Sequence, residues 1–142
     1  MFEKILYPTD FSDTARKAMG VVKELRMAGA REVVALHVID QRSIDTLNEF
    51  TASAVPTLEL EKEVSVNMGQ LENELRGAGF SVVNKIVRGI PLSEILRTAE
   101  EEKVSAIVIG SHGKSNIGEM LLGSVSEKVV RKAKQPVLVI KR

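Results

Sequence analysis

Glycine and serine residues are concentrated between residues 110 and 126, with one lysine among them, and could bind a phosphate group there. Glycine lets backbone N–H groups approach a phosphate with no Cβ in the way. The segment has glycines at Gly110, Gly113 and Gly123, hydroxyl donors at Ser115, Ser124 and Ser126, and a cation at Lys114. These residue types predict a site for a polyphosphate.

The spacing of these glycines does not match the two common phosphate-binding motifs. Gly113-Lys114-Ser115 is similar to the end of a P-loop, but Val108 stands where that motif needs its first glycine. A G-x-x-G segment late in the chain also differs from the dinucleotide fingerprint, which is G-x-G-x-x-G after a first strand. The residues alone therefore indicate an anion site, and the alternative is a turn followed by a capped helix.

Five short runs rich in valine and isoleucine are typical of strands, because Gly, Pro, Asp or charged residues bound them. They are Ile5–Tyr7, Val33–Val38, Val82–Val87, Val104–Ile109 and Val137–Ile140. Apolar residues at helical spacing lie between them, in stretches that begin near Ala15, Leu60, Ile95 and Val125. Gly29 and Gly77 are predicted to end the first two helices, Pro91 to begin the third, and Ser124-x-x-Glu127 to cap the fourth.

Strands that alternate with helices predict an α/β domain over residues 1–142, with a five-stranded parallel sheet covered by helices on both faces. The common strand order is 3-2-1-4-5, in which the winding reverses between strands 1 and 4. Ligands of open α/β sheets bind at the carboxyl ends of strands at such a point, here just after Tyr7 and Ile109.

One connection of the predicted fold, residues 41–57, is unusually long. Ile44, Leu47 and Phe50 indicate a short helix within it. The segment is either a surface elaboration that buries three apolar residues or a lid or partner surface.

Composition narrows the class of partner. The chain has 142 residues, no cysteine, and 20 basic against 19 acidic side chains, and no apolar run long enough to cross a bilayer. A net charge of +1, four Phe, one Tyr and no Trp do not favour nucleic-acid binding. Glu3, Lys4 and Asp10 interrupt the apolar stretch that a signal peptide needs. We therefore expect a cytoplasmic protein that binds neither nucleic acid nor membrane.

Taken as one pattern, Gly110-x2-Gly113-x9-Gly123-Ser124 resembles the nucleotide-binding signature of the universal stress protein family, in its ATP-binding branch. ILYPTDFSDTA near the start, LHVID at 36–40, RGIP at 88–91 and the ending QPVLVIKR also resemble that family. The resemblance covers nearly the whole chain. It implies a flavodoxin-like or adenine-nucleotide α-hydrolase-like fold, commonly dimeric.

The resemblance implies that the chain binds ATP, or ADP or AMP, with Mg²⁺ or Mn²⁺ bridging the phosphates. The residues that it assigns to the nucleotide are Pro8, Thr9, Asp10, Val38, Ile109, Gly110, Ser111, His112, Gly113, Lys114, Ser115, Asn116, Gly123, Ser124, Val125 and Ser126. Asp10 would accept a hydrogen bond from a ribose or adenine group, or help hold the metal. Its alternative role is to cap the first helix. Val38 would contact adenine, and its alternative role is core packing.

The function that the resemblance implies is that of a nucleotide-dependent regulatory or switch protein in the stress response, with a protein partner that the sequence does not identify. The alternative is a slow ATP hydrolase that needs a partner for turnover. No catalytic residue is predicted: His112 is interpreted as a loop histidine near phosphate, and Glu119 is the nearest carboxylate. His37 lies in a strand and is interpreted as a packed, hydrogen-bonded histidine.

A homodimer is expected to form through the last strand. In the predicted order this strand lies at a sheet edge, whose unpaired N–H and C=O groups favour pairing with another strand. Val137–Ile140 is apolar at every position, and only Lys141 and Arg142 add charge beyond it. Two copies related by a two-fold axis would pair these edges antiparallel.

Overall fold

Strands and helices alternate along the chain as the sequence predicts. The computed structural model describes residues 2–42, 45, 55–111 and 124–142. Within these residues the strands are β1 (Lys4–Pro8), β2 (Glu32–Asp40), β3 (Ser81–Gly89), β4 (Ala106–Gly110) and β5 (Val137–Ile140). The α-helices are α1 (Asp13–Glu24), α2 (Val55–Gly77), α3 (Pro91–Glu101) and α4 (Ser124–Lys132), and a 3₁₀ turn (Leu25–Ala28) continues α1. Gln41, Arg42 and Asp45 of the long connection are also helical.

The five strands form one parallel sheet in the order β3-β2-β1-β4-β5, which confirms the predicted topology. β1 lies in the middle, where Leu6 is paired with Val34 of β2 and Ile107 of β4. The winding reverses between β1 and β4. The carboxyl ends of these two strands therefore form the switch point at which α/β sheets bind ligands.

Helices cover both faces of the sheet, since alternate strand residues belong to two separate apolar clusters. Ile5 and Val33 pack with residues of α1 and α2, such as Val22 and Met68. The opposite face packs against α3 and α4, and its cluster contains Leu6, Val34, Leu36, Ile95, Ile107, Ile109 and Val129. Strands that are apolar on both faces are typical of parallel sheets.

The helix ends confirm two of the predicted signals and correct a third. Gly29 is left-handed, with φ 102°, directly after the 3₁₀ turn, and Pro91 begins α3. The prediction for Gly77 is wrong, because Gly77 is the last residue of α2 and the left-handed glycine is Gly79, with φ 98°. Ser124 is the first residue of α4 and not its predicted cap, and the residue before it lies outside the described residues.

Strand β4 is shorter than predicted, beginning at Ala106 and not at Val104. The N–H of Val104 donates to the carbonyl of Ala99 in α3, 3.2 Å away, and the preceding Lys103 is left-handed. The backbone of Val104 therefore closes the end of α3, and its buried side chain joins the apolar cluster on that face of the sheet. In the long connection, α2 already begins at Val55, whereas the predicted helix positions Ile44, Leu47 and Phe50 lie outside the described residues.

Candidate functional site

The structure brings most of the described candidate residues to one edge of the sheet. Pro8 ends β1 and is followed by Thr9 and Asp10, and Ile109 and Gly110 end β4. The N–H of Thr9 donates to the carbonyl of Leu36, 2.8 Å away, which holds the turn after β1 against β2. The candidates His112, Gly113, Lys114, Ser115, Asn116 and Gly123 lie outside the described residues.

Pro8, Val38 and Ile109 share one face of this edge. Alternation along a strand places Pro8 with Leu6, and Val38 with Leu36, on the side covered by α3 and α4. Ile109 belongs to the same apolar cluster, and the half-buried Val38 packs against it. The three side chains thus form one apolar surface at this edge, in which Val38 is half-buried and Pro8 and Ile109 are buried, and Val38 also serves the core.

Side chains of the turn after β1 accept hydrogen bonds from its own backbone. Thr9 Oγ1 accepts from the N–H of Phe11 at 3.0 Å, and Asp10 Oδ1 accepts from the N–H of Ser12 at 2.9 Å. The N-cap of α1 is Ser12, whose Oγ accepts from the N–H of Ala15 at 3.2 Å. The alternative in which Asp10 caps the first helix is therefore wrong, since Asp10 closes the turn before the cap.

Tyr7 anchors the first turn of α1 to the strand beneath it. Its side chain is 1% exposed, and its hydroxyl donates to the carbonyl of Ala15 over 2.5 Å. Burial raises the pKa of Tyr7 to about 12. Sequence reasoning missed this role, because a tyrosine in an apolar run shows only that the strand is buried.

Gly110 is needed by the packing of α1. A Cβ at this position would lie 3.0 Å from Cγ2 of Thr14 and 3.1 Å from its backbone carbon. The space that a side chain would occupy is thus filled by the helix. The packing of α1 is therefore a second reason for glycine at this position, beside the access for a phosphate that the sequence predicts.

Ser111 joins β4, β5 and α4 where the glycine-rich segment begins. Its N–H donates to the carbonyl of Ile140 at 2.8 Å, and its carbonyl accepts from Oγ of Ser126 at 3.2 Å. Ser111 and Ser126 are 1% and 2% exposed. The hydroxyl proton of Ser126 is therefore directed at the protein backbone, although the sequence offered it as a donor to phosphate.

The first turn of α4 has the groups that an anion requires. Ser124 is exposed at the first position of a nine-residue helix, followed by Val125 and Ser126. The N–H groups of a first helical turn have no partner within the helix, and the helix dipole is positive there. This end of α4 lies beside Ser111, so a phosphate at the switch point would meet these donors.

Among the residues that the structure describes, Asp10 belongs to no group of three or more His, Cys, Asp or Glu side chains that could hold a metal ion. Over the same residues, none of the helices is both long and apolar enough to cross a membrane.

An open, doubly wound parallel sheet whose winding reverses between β1 and β4 defines an α/β domain of the kind that binds ligands at the carboxyl ends of its strands. The family model described as "Universal stress protein family" matches residues 1–141. The chain belongs to the universal stress protein family, which confirms the resemblance seen in the sequence.

Relatives of this family match the chain over its full length. Universal stress protein MJ0577 of Methanocaldococcus jannaschii is 44% identical over 156 residues, covering 100% of this chain and 96% of the relative. A solved structure of hypothetical protein MJ0577 superposes with a TM-score of 0.91 at 48% identity, covering 100% of this chain and 97% of that one.

A more distant structure shares the fold alone. It is of a universal stress protein in complex with cAMP, with a TM-score of 0.69 at 22% identity, covering 99% of this chain and 97% of the other.

Proposed function

We propose that the chain binds an adenine nucleotide, ATP or its products ADP and AMP, at the carboxyl ends of β1 and β4. The observation that carries the proposal is the meeting of three features at the switch point. These are the apolar surface of Pro8, Val38 and Ile109, the carboxylate of Asp10, and the start of α4 beside Ser111. A universal stress protein of the same fold is described in complex with cAMP, which supports the proposal.

In this proposal each part of the site binds a different part of the nucleotide. Adenine packs on the apolar surface, and Asp10 accepts a hydrogen bond from a ribose hydroxyl or an adenine amino group. The glycine-rich segment and the first turn of α4 bind the phosphates through backbone N–H groups and the hydroxyl of Ser124. Mg²⁺ or Mn²⁺ bridges phosphate oxygens, since hard cations prefer oxygen donors, and holding this metal is the alternative role of Asp10.

Calorimetric titration with ATP and Mg²⁺ tests the binding site. We expect Gly113→Val and Gly123→Val to abolish the heat of binding while the fold survives, because a branched side chain keeps the backbone away from phosphate. The matched control is Gly20→Ala on the exposed side of α1, where a Cβ meets nothing within 4 Å. Wild-type affinity in both valine variants would overturn the assignment of the phosphate site.

We further propose that nucleotide occupancy regulates a partner, in a cytoplasmic protein that responds to stress and whose residues 1–142 form one nucleotide-binding domain. ATP turnover by the protein alone is then slow or absent. Release of ADP at about 1–10³ per second, the ordinary range of enzymes, would favour the hydrolase alternative. In that case alanine variants of Glu119 and His112 would be the next test.

The proposal includes a homodimer formed through β5, and the two sheet edges differ in a way that supports it. At β3, Arg76 of α2 donates to the carbonyl of Val82 at 3.0 Å, and Arg88 pairs with Glu61. These contacts with α2 protect that edge from pairing with another strand. At β5, all four residues are apolar and half-buried, so a second strand would cover them further.

A further inference from the structure

His37 of β2 contacts both chain neighbours of Asp10. Its Nδ1 lies 2.7 Å from the carbonyl oxygen of Thr9, which precedes Asp10. Its ring stacks on that of Phe11, which follows Asp10, with ring centroids 4.7 Å apart and an interplanar angle of 24°. Because a carbonyl oxygen only accepts, Nδ1 of His37 carries the proton and donates it to Thr9. One imidazole therefore holds the residue on either side of the carboxylate.

Phe11 adopts a backbone conformation that such a residue rarely has. Its φ of 63° lies in the left-handed region, which costs a bulky residue about 1 kcal/mol or more. The conformation is maintained from two directions, by Thr9 Oγ1 accepting from its N–H and by the stacked imidazole. It also reverses the chain so that Ser12 reaches its capping position and donates to Asp10 Oδ1.

His37 lies on the opposite face of the sheet from the surface proposed for adenine. Alternation along β2 places it with Ala35 and Ile39 on the side of α1 and α2, whereas Val38 faces α3 and α4. Phe11 packs against the same cluster as Ala35. His37 is thus placed to act on the nucleotide site through the turn and not by contact.

We propose that His37 and Phe11 are positioning residues that set the direction in which the Asp10 carboxylate meets its ligand. The inference rests on the proposed function and specifies it. A carboxylate only accepts, so the ligand group that Asp10 recognises is a hydrogen-bond donor, namely a ribose hydroxyl or the adenine amino group. When Thr9 or Phe11 is held less firmly, the hydrogen bond between Asp10 and the ligand weakens, while the phosphate contacts remain in place.

Three substitutions separate the two contacts of the imidazole. His37→Phe keeps an aromatic ring and removes the donor to Thr9. Phe11→Gly removes the ring and suits the backbone, because glycine adopts positive φ without strain. Phe11→Tyr keeps the ring and is the conservative control. We expect the first two to weaken ATP binding about threefold to tenfold, the range of one hydrogen bond, and Phe11→Tyr to bind as wild type does.

A double-mutant cycle with Asp10→Asn distinguishes positioning from a general loss of structure. If His37 acts through Asp10, His37→Phe weakens ATP binding in the wild-type background and causes no further loss beside Asp10→Asn. Phe80→Leu is the matched stability control. Phe80 is 4% exposed and precedes the amino end of β3, so its truncation lowers the melting temperature while the Kd for ATP stays unchanged.

Each result of these titrations decides the inference. The inference is supported if His37→Phe weakens ATP binding less in the Asp10→Asn background than in the wild-type protein. Wild-type affinity in both His37→Phe and Phe11→Gly, or losses that add fully to that of Asp10→Asn, overturns it while leaving the proposed function standing. A wild-type protein that binds no ATP overturns the proposed function, and this inference with it.

Discussion

Several polar side chains around the candidate site bind the protein's own backbone. Thr9, Asp10 and Ser12 accept from N–H groups of the turn and of α1, and Ser126 donates to the carbonyl of Ser111. Their first effect is therefore to fix the shape of the edge at which β1 and β4 end. Under the proposed function, backbone N–H groups make most of the contacts with the phosphates. A side-chain substitution can weaken these contacts only by changing the conformation of the backbone.

Alanine substitution at two glycines should change stability in opposite directions. Gly110→Ala places a Cβ 3.0 Å from the Thr14 side chain and 3.1 Å from its backbone, so we expect a loss of about 1–3 kcal/mol in the free energy of unfolding. Gly20→Ala lies inside α1 with nothing within 4 Å, so a gain of about 0.5–1 kcal/mol is expected. Urea denaturation measures both, and a neutral Gly110→Ala would contradict the close approach of α1.

Tyr7 should make the fold sensitive to alkaline pH. The folded state raises its pKa to about 12 by burial, so the neutral phenol is favoured. That contribution to stability is fully present below the unfolded pKa of about 10 and is lost as the pH rises through the folded value. Because the chain has one tyrosine, ultraviolet absorbance of tyrosinate follows this group alone. A native protein whose tyrosinate forms already near pH 10 would contradict the buried placement.

At the scale of elements, the sequence predicts the fold well, because hydrophobic periodicity determines both the type and the order of the elements. The strand order follows from the alternation of strands and helices, and the candidate edge follows from the strand order. The contacts that shape the site could not be predicted in this way. That Gly110 lies against Thr14, or that His37 holds Thr9, depends on where α1 packs and not on any local pattern.

The N-cap of α1 gives a prediction at this scale, because the helix fixes the turn that carries Asp10. Ser12→Ala removes the acceptor for the N–H of Ala15 and should lower the free energy of unfolding by about 1 kcal/mol. Ser12→Asp retains an acceptor and should leave stability near that of the wild type. Equal stability of all three proteins in urea denaturation would show that the cap contributes nothing to α1.

For the molecule as a whole, hydrogen bonds link the free edge of the sheet to the candidate site. β5 ends at Ile140, whose carbonyl accepts from the N–H of Ser111, the residue that leads into the glycine-rich segment. Ser111 in turn contacts Ser126 at the start of α4. A second copy paired with β5 would therefore lie one strand away from the proposed nucleotide site.

The proposed dimer can be tested by proline substitution at two neighbouring positions of β5. Pro136 and Ile140 direct their carbonyls at β4, accepting from Ile107 and Ser111. Alternation then directs the backbone groups of Leu138 at β4 and those of Val139 at the free edge.

Val139→Pro should thus remove an outward donor and give a folded monomer, because proline is tolerated where the strand N–H faces outward. Leu138→Pro should instead break the pairing with β4 and destabilise the chain. Light scattering at micromolar concentration gives the mass of each protein and circular dichroism its fold; a wild-type protein of monomer mass would defeat the dimer proposal.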